Sequence, residues 1–184
     1  MILSGLVLAM SGGCAGWPRP PLKTFDSHGR ARFDVHAFSA LCFNTWGCRV
    51  EYANRYEADW PASVLRPTRD ARISLSRYVN GSHAGVRNFP DPAIVTWRSA
   101  DGTERHAVID IRDIFKARQY LHNVCPKDLR ENAYLVNPDI ILVVDDRTIS
   151  VYMDSYIPIK DSPACSASES RNPNQIIRAF YRSY

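Results

Sequence analysis

The chain has 184 residues, 45% hydrophobic and 23% charged, enough apolar content to bury the core of one ordinary domain and too much for intrinsic disorder. Twenty-three Lys and Arg against 19 Asp and Glu leave a net charge of +4, a surplus too small to argue for nucleic acid. No apolar run reaches the roughly 18–20 residues of a transmembrane helix, and twelve Pro, nine Tyr, seven Phe and four Trp favour strands and loops over a helical bundle.

Residues 1–10 (MILSGLVLAM) form a short apolar stretch, followed by Ser11-Gly12-Gly13-Cys14. An apolar stretch, small residues and then Cys is the layout of a bacterial lipoprotein signal, in which the Cys thiol is acylated after cleavage. Ser11 stands where that signal usually has Leu, and no basic residue precedes the apolar stretch. The alternative is an ordinary strand through Leu6, Val7, Leu8 and Met10. The expectation is a signal segment over 1–14, with Cys14 as the lipidation site and the membrane as its anchor. Multiple acyl chains, at about 0.8 kcal/mol per buried CH₂, give stable attachment. Residues 15–25, with Trp17-Pro18-Arg19-Pro20-Pro21, then read as a stiff extended tether.

Five cysteines cannot all pair within one chain. With Cys14 set aside, Cys42, Cys48, Cys125 and Cys165 remain, and four cysteines allow three pairings. Cys42 and Cys48 are the closest in sequence, with Gly47 to permit a turn, which leaves Cys125 and Cys165 as a second pair. An exported chain meets the oxidising conditions both bonds require. A zinc site is disfavoured, since no Cys-x₂-Cys spacing occurs.

The rest of the chain reads as short strands. Phe33, Val35 and Ala37 alternate with Arg32, Asp34 and His36; Arg49 to Tyr52 suggests another strand leading into Asn54-Arg55-Tyr56; Ala71, Ile73 and Leu75 alternate with polar neighbours up to a turn at Asn80-Gly81-Ser82. Val95 and Trp97 begin the clearest hairpin, turning at Asp101-Gly102 and returning with Ala107, Ile109 and Ile111 on one face. A mixed segment with at most a short helix runs to Val124, and Pro126 stops it. Residues 140–144 (IILVV) are too short for a helix and read as a central strand buried on both faces. After a turn at Asp145-Asp146-Arg147, Ile149, Val151 and Met153 form the next strand. Residues 160–174 form a polar loop holding Cys165. Residues 175–184 suit a strand or a helix equally. The expected architecture is mainly β: a single antiparallel β-sandwich-like domain over 26–184, with little helix and no internal repeat.

No catalytic pattern emerges. The chain has no Gly-x-Ser-x-Gly elbow, no glycine-rich phosphate loop and no His-x-x-x-His or His-Glu-x-x-His pair, so neither a cofactor nor a metal is implied. His36 and His106 fall on polar strand faces, and His28, His83 and His122 in or beside loops. A nucleophilic Cys125 beside His122 would need a free thiolate. Asp110, Arg112 and Asp113, with Asp145, Asp146 and Arg147, form two charged clusters that could specify a partner by complementarity, or simply be solvated turns. Tyr56 and Trp60 lie in a stretch of residue types that dominate protein interfaces.

Residues 95–102 (VTWRSADG), 109–115 (IDIRDIF), 121–127 (LHNVCPK) and 137–153 (NPDIILVVDDRTISVYM), with 41–48 (LCFNTWGC), resemble a group of small proteobacterial lipoproteins. Many of these are encoded beside type VI secretion effectors, phospholipases above all. The resemblance covers most of the chain after Phe25. It implies a periplasmic, membrane-anchored immunity protein, without enzymatic activity, that binds and occludes a cognate secreted lipase. It supplies no catalytic set, and only Cys14 carries a family role. The alternative is an envelope structural or effector-accessory lipoprotein without inhibitory activity.

Overall fold

The apolar run at residues 140–144 becomes the middle of the larger of two sheets. The computed structural model describes residues 23–162, 164–165 and 171–184. The signal-like segment, Cys14 and the tether up to residue 22 lie outside the described residues.

The strands are β1 (Val35–Phe43), β2 (Thr45–Tyr52), β3 (Arg55–Asp59), β4 (His83–Arg87), β5 (Ala93–Ser99), β6 (Glu104–Ile109), β7 (Asp139–Asp145), β8 (Thr148–Tyr156) and β9 (Asn174–Ser183). One four-residue helix, α1 (Ile111–Ile114), follows β6. The five-stranded sheet has the order β4-β1-β7-β8-β9 and the four-stranded sheet β3-β2-β5-β6. They pack as a mainly-β sandwich with little helix. All pairings are antiparallel except β1 with β7, which run parallel from Ala37 opposite Asp139 to Phe43 opposite Asp145.

Alternation places Phe38 and Cys42 of β1, Ile140, Leu142 and Val144 of β7, and Ile149, Val151 and Met153 of β8 against Val50, Val95, Trp97 and Ile109 of the other sheet. A second, smaller core lies on the outer face of the large sheet, where Leu75, Tyr78 and Val79 cover Leu41, Phe43, Ile141 and Val143. β7 is therefore buried on both faces, as its unbroken apolar sequence requires.

Local chemistry sets the corners. Asn44 alone joins β1 to β2 across the two sheets, at φ +51°, where Asn is tolerated. Its amide donates to Asp145 at 2.6 Å and its carbonyl oxygen accepts from Thr68 at 2.6 Å. Ala53 and Asn54, at φ +50° and +59°, make the tight β2–β3 turn. The Asp101-Gly102 turn forms as read, with Gly102 at φ +85°, but the return strand ends at Ile109, and Ile111, read as part of it, opens α1 behind the Asp110 cap. The Asp101 carboxyl accepts from Ser99 and the Thr103 amide, which pull its pKa down to about 2.

Both disulfides are present, Cys42–Cys48 and Cys125–Cys165. The first depends on a bulge. Trp46 faces Arg98 and Arg49 faces Thr96, so β2 carries one residue more than β5 at Gly47-Cys48. The extra residue turns Cys48 into the core toward Cys42. Gly47 is at φ +54°, and a Cβ there would sit 3.1 Å from the Ala62 Cβ.

Three other expectations need correction. The alternation at Ala71, Ile73 and Leu75 is not a strand. Asp70 accepts from the Arg72 amide, and Leu75–Arg77 form a 3₁₀ turn, so side-chain bonds to the backbone replace a ladder; only Leu75 is buried, while Ile73 is 37% exposed. His36 does not lie on a polar face but is fully buried. The chain bends at Asp34, between Phe33 and β1, so the alternation restarts and both Phe33 and His36 face inward. Pro126 opens a 3₁₀ turn (Pro126–Asp128) rather than merely stopping a segment.

Candidate interaction surface

The five histidines have separate fates. His28 and His106 are exposed. His36 Nδ1–H donates to Asn88 Oδ1 at 2.7 Å, and its Nε2 accepts from the Tyr52 hydroxyl at 3.2 Å. Burial pushes its pKa down and the Tyr52 phenol's up. His83 pairs with Glu57 at 2.7 Å and links β4 to β3. His122 Nε2 donates to the Gly29 carbonyl at 2.8 Å. Cys125, which the sequence places near His122, is held in its disulfide. The Cys125, Cys165 and Asp128 ligand atoms lie within 4.8 Å of one another, but both sulfurs are bonded together, and Asp128 accepts from the Ala164 and Cys165 amides.

The two charged clusters stand at opposite ends of the sandwich. Asp110 follows Ile109, which pairs with Ala93 at the start of β5; Asp146 accepts from the Ala100 amide just past its end. Seven strand residues, at about 3.3 Å each, separate them. Asp110 caps α1 through the Arg112 and Asp113 amides, while the Arg112 guanidinium donates to the Phe89 carbonyl. Asp145 holds Asn44; the Asp146 carbonyl accepts from the Trp97 indole, and Arg147 pairs with the Asp146 carboxylate. Each cluster thus organises a turn or cap, and Asp113 and Arg147 remain exposed.

Tyr56 and Trp60 do come together, along a cleft of about 450 Å³ between β1, β3 and the loop of residues 61–81. Tyr56, 58% exposed, lies under the Arg49 guanidinium at 5.0 Å. Trp60, 40% exposed, carries the Arg66 guanidinium 3.7 Å over its ring. Tyr78 stands edge-on to Phe43 at 5.0 Å and anchors the loop by accepting from the Asp70 amide. The Arg66 backbone is fixed too, donating to the Thr45 carbonyl at 2.8 Å and accepting from the Asn44 amide at 3.1 Å. The sequence signal for Arg66 and Arg77 was the charge of residues 66–78, where four arginines face one aspartate.

The cleft is electrically lopsided. Its carboxylates are engaged, Glu57 by His83 and Asp59 by Arg49. Arg66 and Arg77 have no acceptor among the described residues, and Arg66 Nε is buried without a partner. On the outer face of the four-stranded sheet, by contrast, Arg98 beside Trp46 already donates to the Ala62 carbonyl.

At the far end of the cleft Ser39 and Ser82 donate to Asp139 at 3.0 and 2.6 Å, and Asp139 lies cross-strand from Asp154. Burial lifts the Asp139 pKa above the usual carboxylate value, against the pull of both serines. Burial, and then the Asp139 charge, lift that of Asp154. A raised folded-state pKa favours the fold only at acidic pH, and the benefit disappears as pH rises through it. Asp154→Asn should therefore stabilise the protein at pH 7, by up to about 1 kcal/mol for a relieved cross-strand like-charge pair. The gain should shrink toward pH 4, and urea midpoints at the two pH values measure it.

No family model, curated protein or solved structure matches this chain.

Proposed function

We propose that this chain is an exported, lipid-tethered inhibitor, an immunity protein that binds a cognate type VI secretion effector of the lipase class and occludes it without covalent chemistry. The observation that carries the reading is the cleft, where Trp60, Tyr56, Arg66 and Arg77 cluster on a scaffold stapled by two disulfides. Trp, Tyr and Arg are the residues that concentrate binding energy at interfaces. The disulfides suit an oxidising compartment such as the periplasm. The resemblance described above supplies the effector class and makes Cys14 the anchor.

A standard interface of about 1,600 Å² would suffice for blockade. The test is co-expression in the periplasm with the effector encoded beside this chain. Cells carrying both should survive, and a Cys14→Ala variant should lose membrane attachment. Death at the rate of the effector alone would overturn the proposal.

A further inference from the structure

We infer that the basic part of the cleft, Arg66 stacked on Trp60 together with Arg77, which lines the same cleft, is a receptor for a carboxylate side chain presented by an acidic segment of a partner protein. The inference rests on the inhibitor reading for the partner's identity, and on the cleft alone for its chemistry.

Three observations converge. First, Arg66 is rigid and incompletely bonded. Its backbone is tied to Thr45 and Asn44, its guanidinium lies on the indole, and its Nε is buried without an acceptor. A buried donor left unpaired is costly, so the fold holds this guanidinium without satisfying it. A guanidinium stacked on an aromatic face still presents a planar fork of donors to a carboxylate. Second, every acidic group near the cleft is accounted for. Glu57 is bound by His83, Asp59 by Arg49, and Asp139 by Ser39 and Ser82 at the far end. The field at Arg66 and Arg77 is therefore uncompensated. Third, the cleft has aromatic walls, Tyr56, Trp60 and Tyr78, that suit apolar side chains flanking an acid. A small free anion would leave these walls unused, which favours a protein segment.

The probe is the peptide acetyl-Glu-Tyr-Glu-amide, followed through the arginine Nε–H resonances of the ¹⁵N-labelled protein. Its Gln-Tyr-Gln counterpart and inorganic phosphate serve as separate arms. The acidic peptide should shift the Arg66 Nε–H signal, and the glutamine peptide should not. Arg66→Gln should weaken peptide binding at least tenfold, and Arg66→Lys should restore part of it. Both variants keep the backbone bonds to Thr45 and Asn44, and a cooperative urea transition in each shows that it is folded. Equal shifts from the glutamine peptide, or phosphate reproducing the whole response, would overturn the inference, the latter making this a small-anion site. The two proposals fail separately. If wild type protects cells but the peptide does not bind, the cleft is wrong and the inhibitor reading stands. If the peptide binds Arg66 but wild type gives no protection, the carboxylate receptor stands with a different partner.

Discussion

Removing the Cys125–Cys165 bond by a double alanine substitution should cost about 4 kcal/mol, a large fraction of the roughly 5–15 kcal/mol that holds a typical domain folded. The bond closes a loop of 40 residues that contains all of β7 and β8. Chain entropy makes the penalty for opening such a loop larger than for a short one. Native contacts add to it. Cys165 lies where the chain leaves Ile159 for β9, and its amide and that of Ala164 donate to the buried Asp128. The Lys160 amide donates to the Asp128 carbonyl at 2.8 Å as well. Cutting the bond frees this corner and, with it, the anchoring of β9 on β8. The Cys42–Cys48 bond closes only six residues, so its removal should cost about 2 kcal/mol from the same relation. Urea unfolding of the two double variants compares them directly. Equal losses would show that the length of the closed loop does not set the effect.

How much of this was readable in the chain depends on how local each signal was. Residues 140–144, the Ile149/Val151/Met153 alternation and the Asp101-Gly102 turn declare themselves within a few residues, and all three form as read. The parallel pairing of β1 with β7 does not. Its partners are about 100 residues apart, and the intervening chain builds the whole second sheet. The last segment was ambiguous for a physical reason. Ile177 pairs with Met153 and Phe180 with Val151, yet three residues separate them, because a bulge inserts Ala179 between Arg178 and Phe180. A bulged strand thereby takes on the spacing of a helix. The loop of residues 61–81 hid its role similarly. Leu75, Tyr78 and Val79 cover the outer face of the large sheet, which only the assembled sheet reveals. Of the site, Tyr56 and Trp60 were legible by residue type, whereas the freedom of Arg66 and Arg77 follows from which carboxylates other groups had already taken.

His36→Ala should destabilise the protein by about 3 kcal/mol at pH 7.5, the sum of a core truncation and lost buried hydrogen bonds. His36 is the one fully buried histidine among the described residues and sits at the junction of three elements. Its Nδ1–H fixes Asn88, which in turn donates to the Phe33 carbonyl at 2.7 Å. Its Nε2 receives the Tyr52 hydroxyl from the opposite sheet. The neutral ring, protonated on Nδ1, bonds both partners and also gives the Tyr52 hydroxyl proton an acceptor. Truncation leaves the Tyr52 hydroxyl and the Asn88 carbonyl oxygen unpaired in the core and opens a space against Phe33, Phe89 and Tyr52. The same geometry predicts acid sensitivity. Burial, the largest effect, and the neighbouring His83 depress the His36 pKa below 6.5, while Asn88 opposes them. The unfolded chain therefore takes up a proton before the folded one does, so this contribution is present above about pH 6.5 and falls away as pH drops below it. Asp139 and Asp154, whose pKa values burial raises, slope the opposite way. Wild type should lose stability on going from pH 7.5 to 5.5. His36→Ala should lose less over the same interval, because its titrating group is gone. A variant that keeps the wild-type pH slope would show that His36 is not the source of the acid sensitivity, and one that keeps wild-type stability would show that the buried network contributes nothing net to the fold.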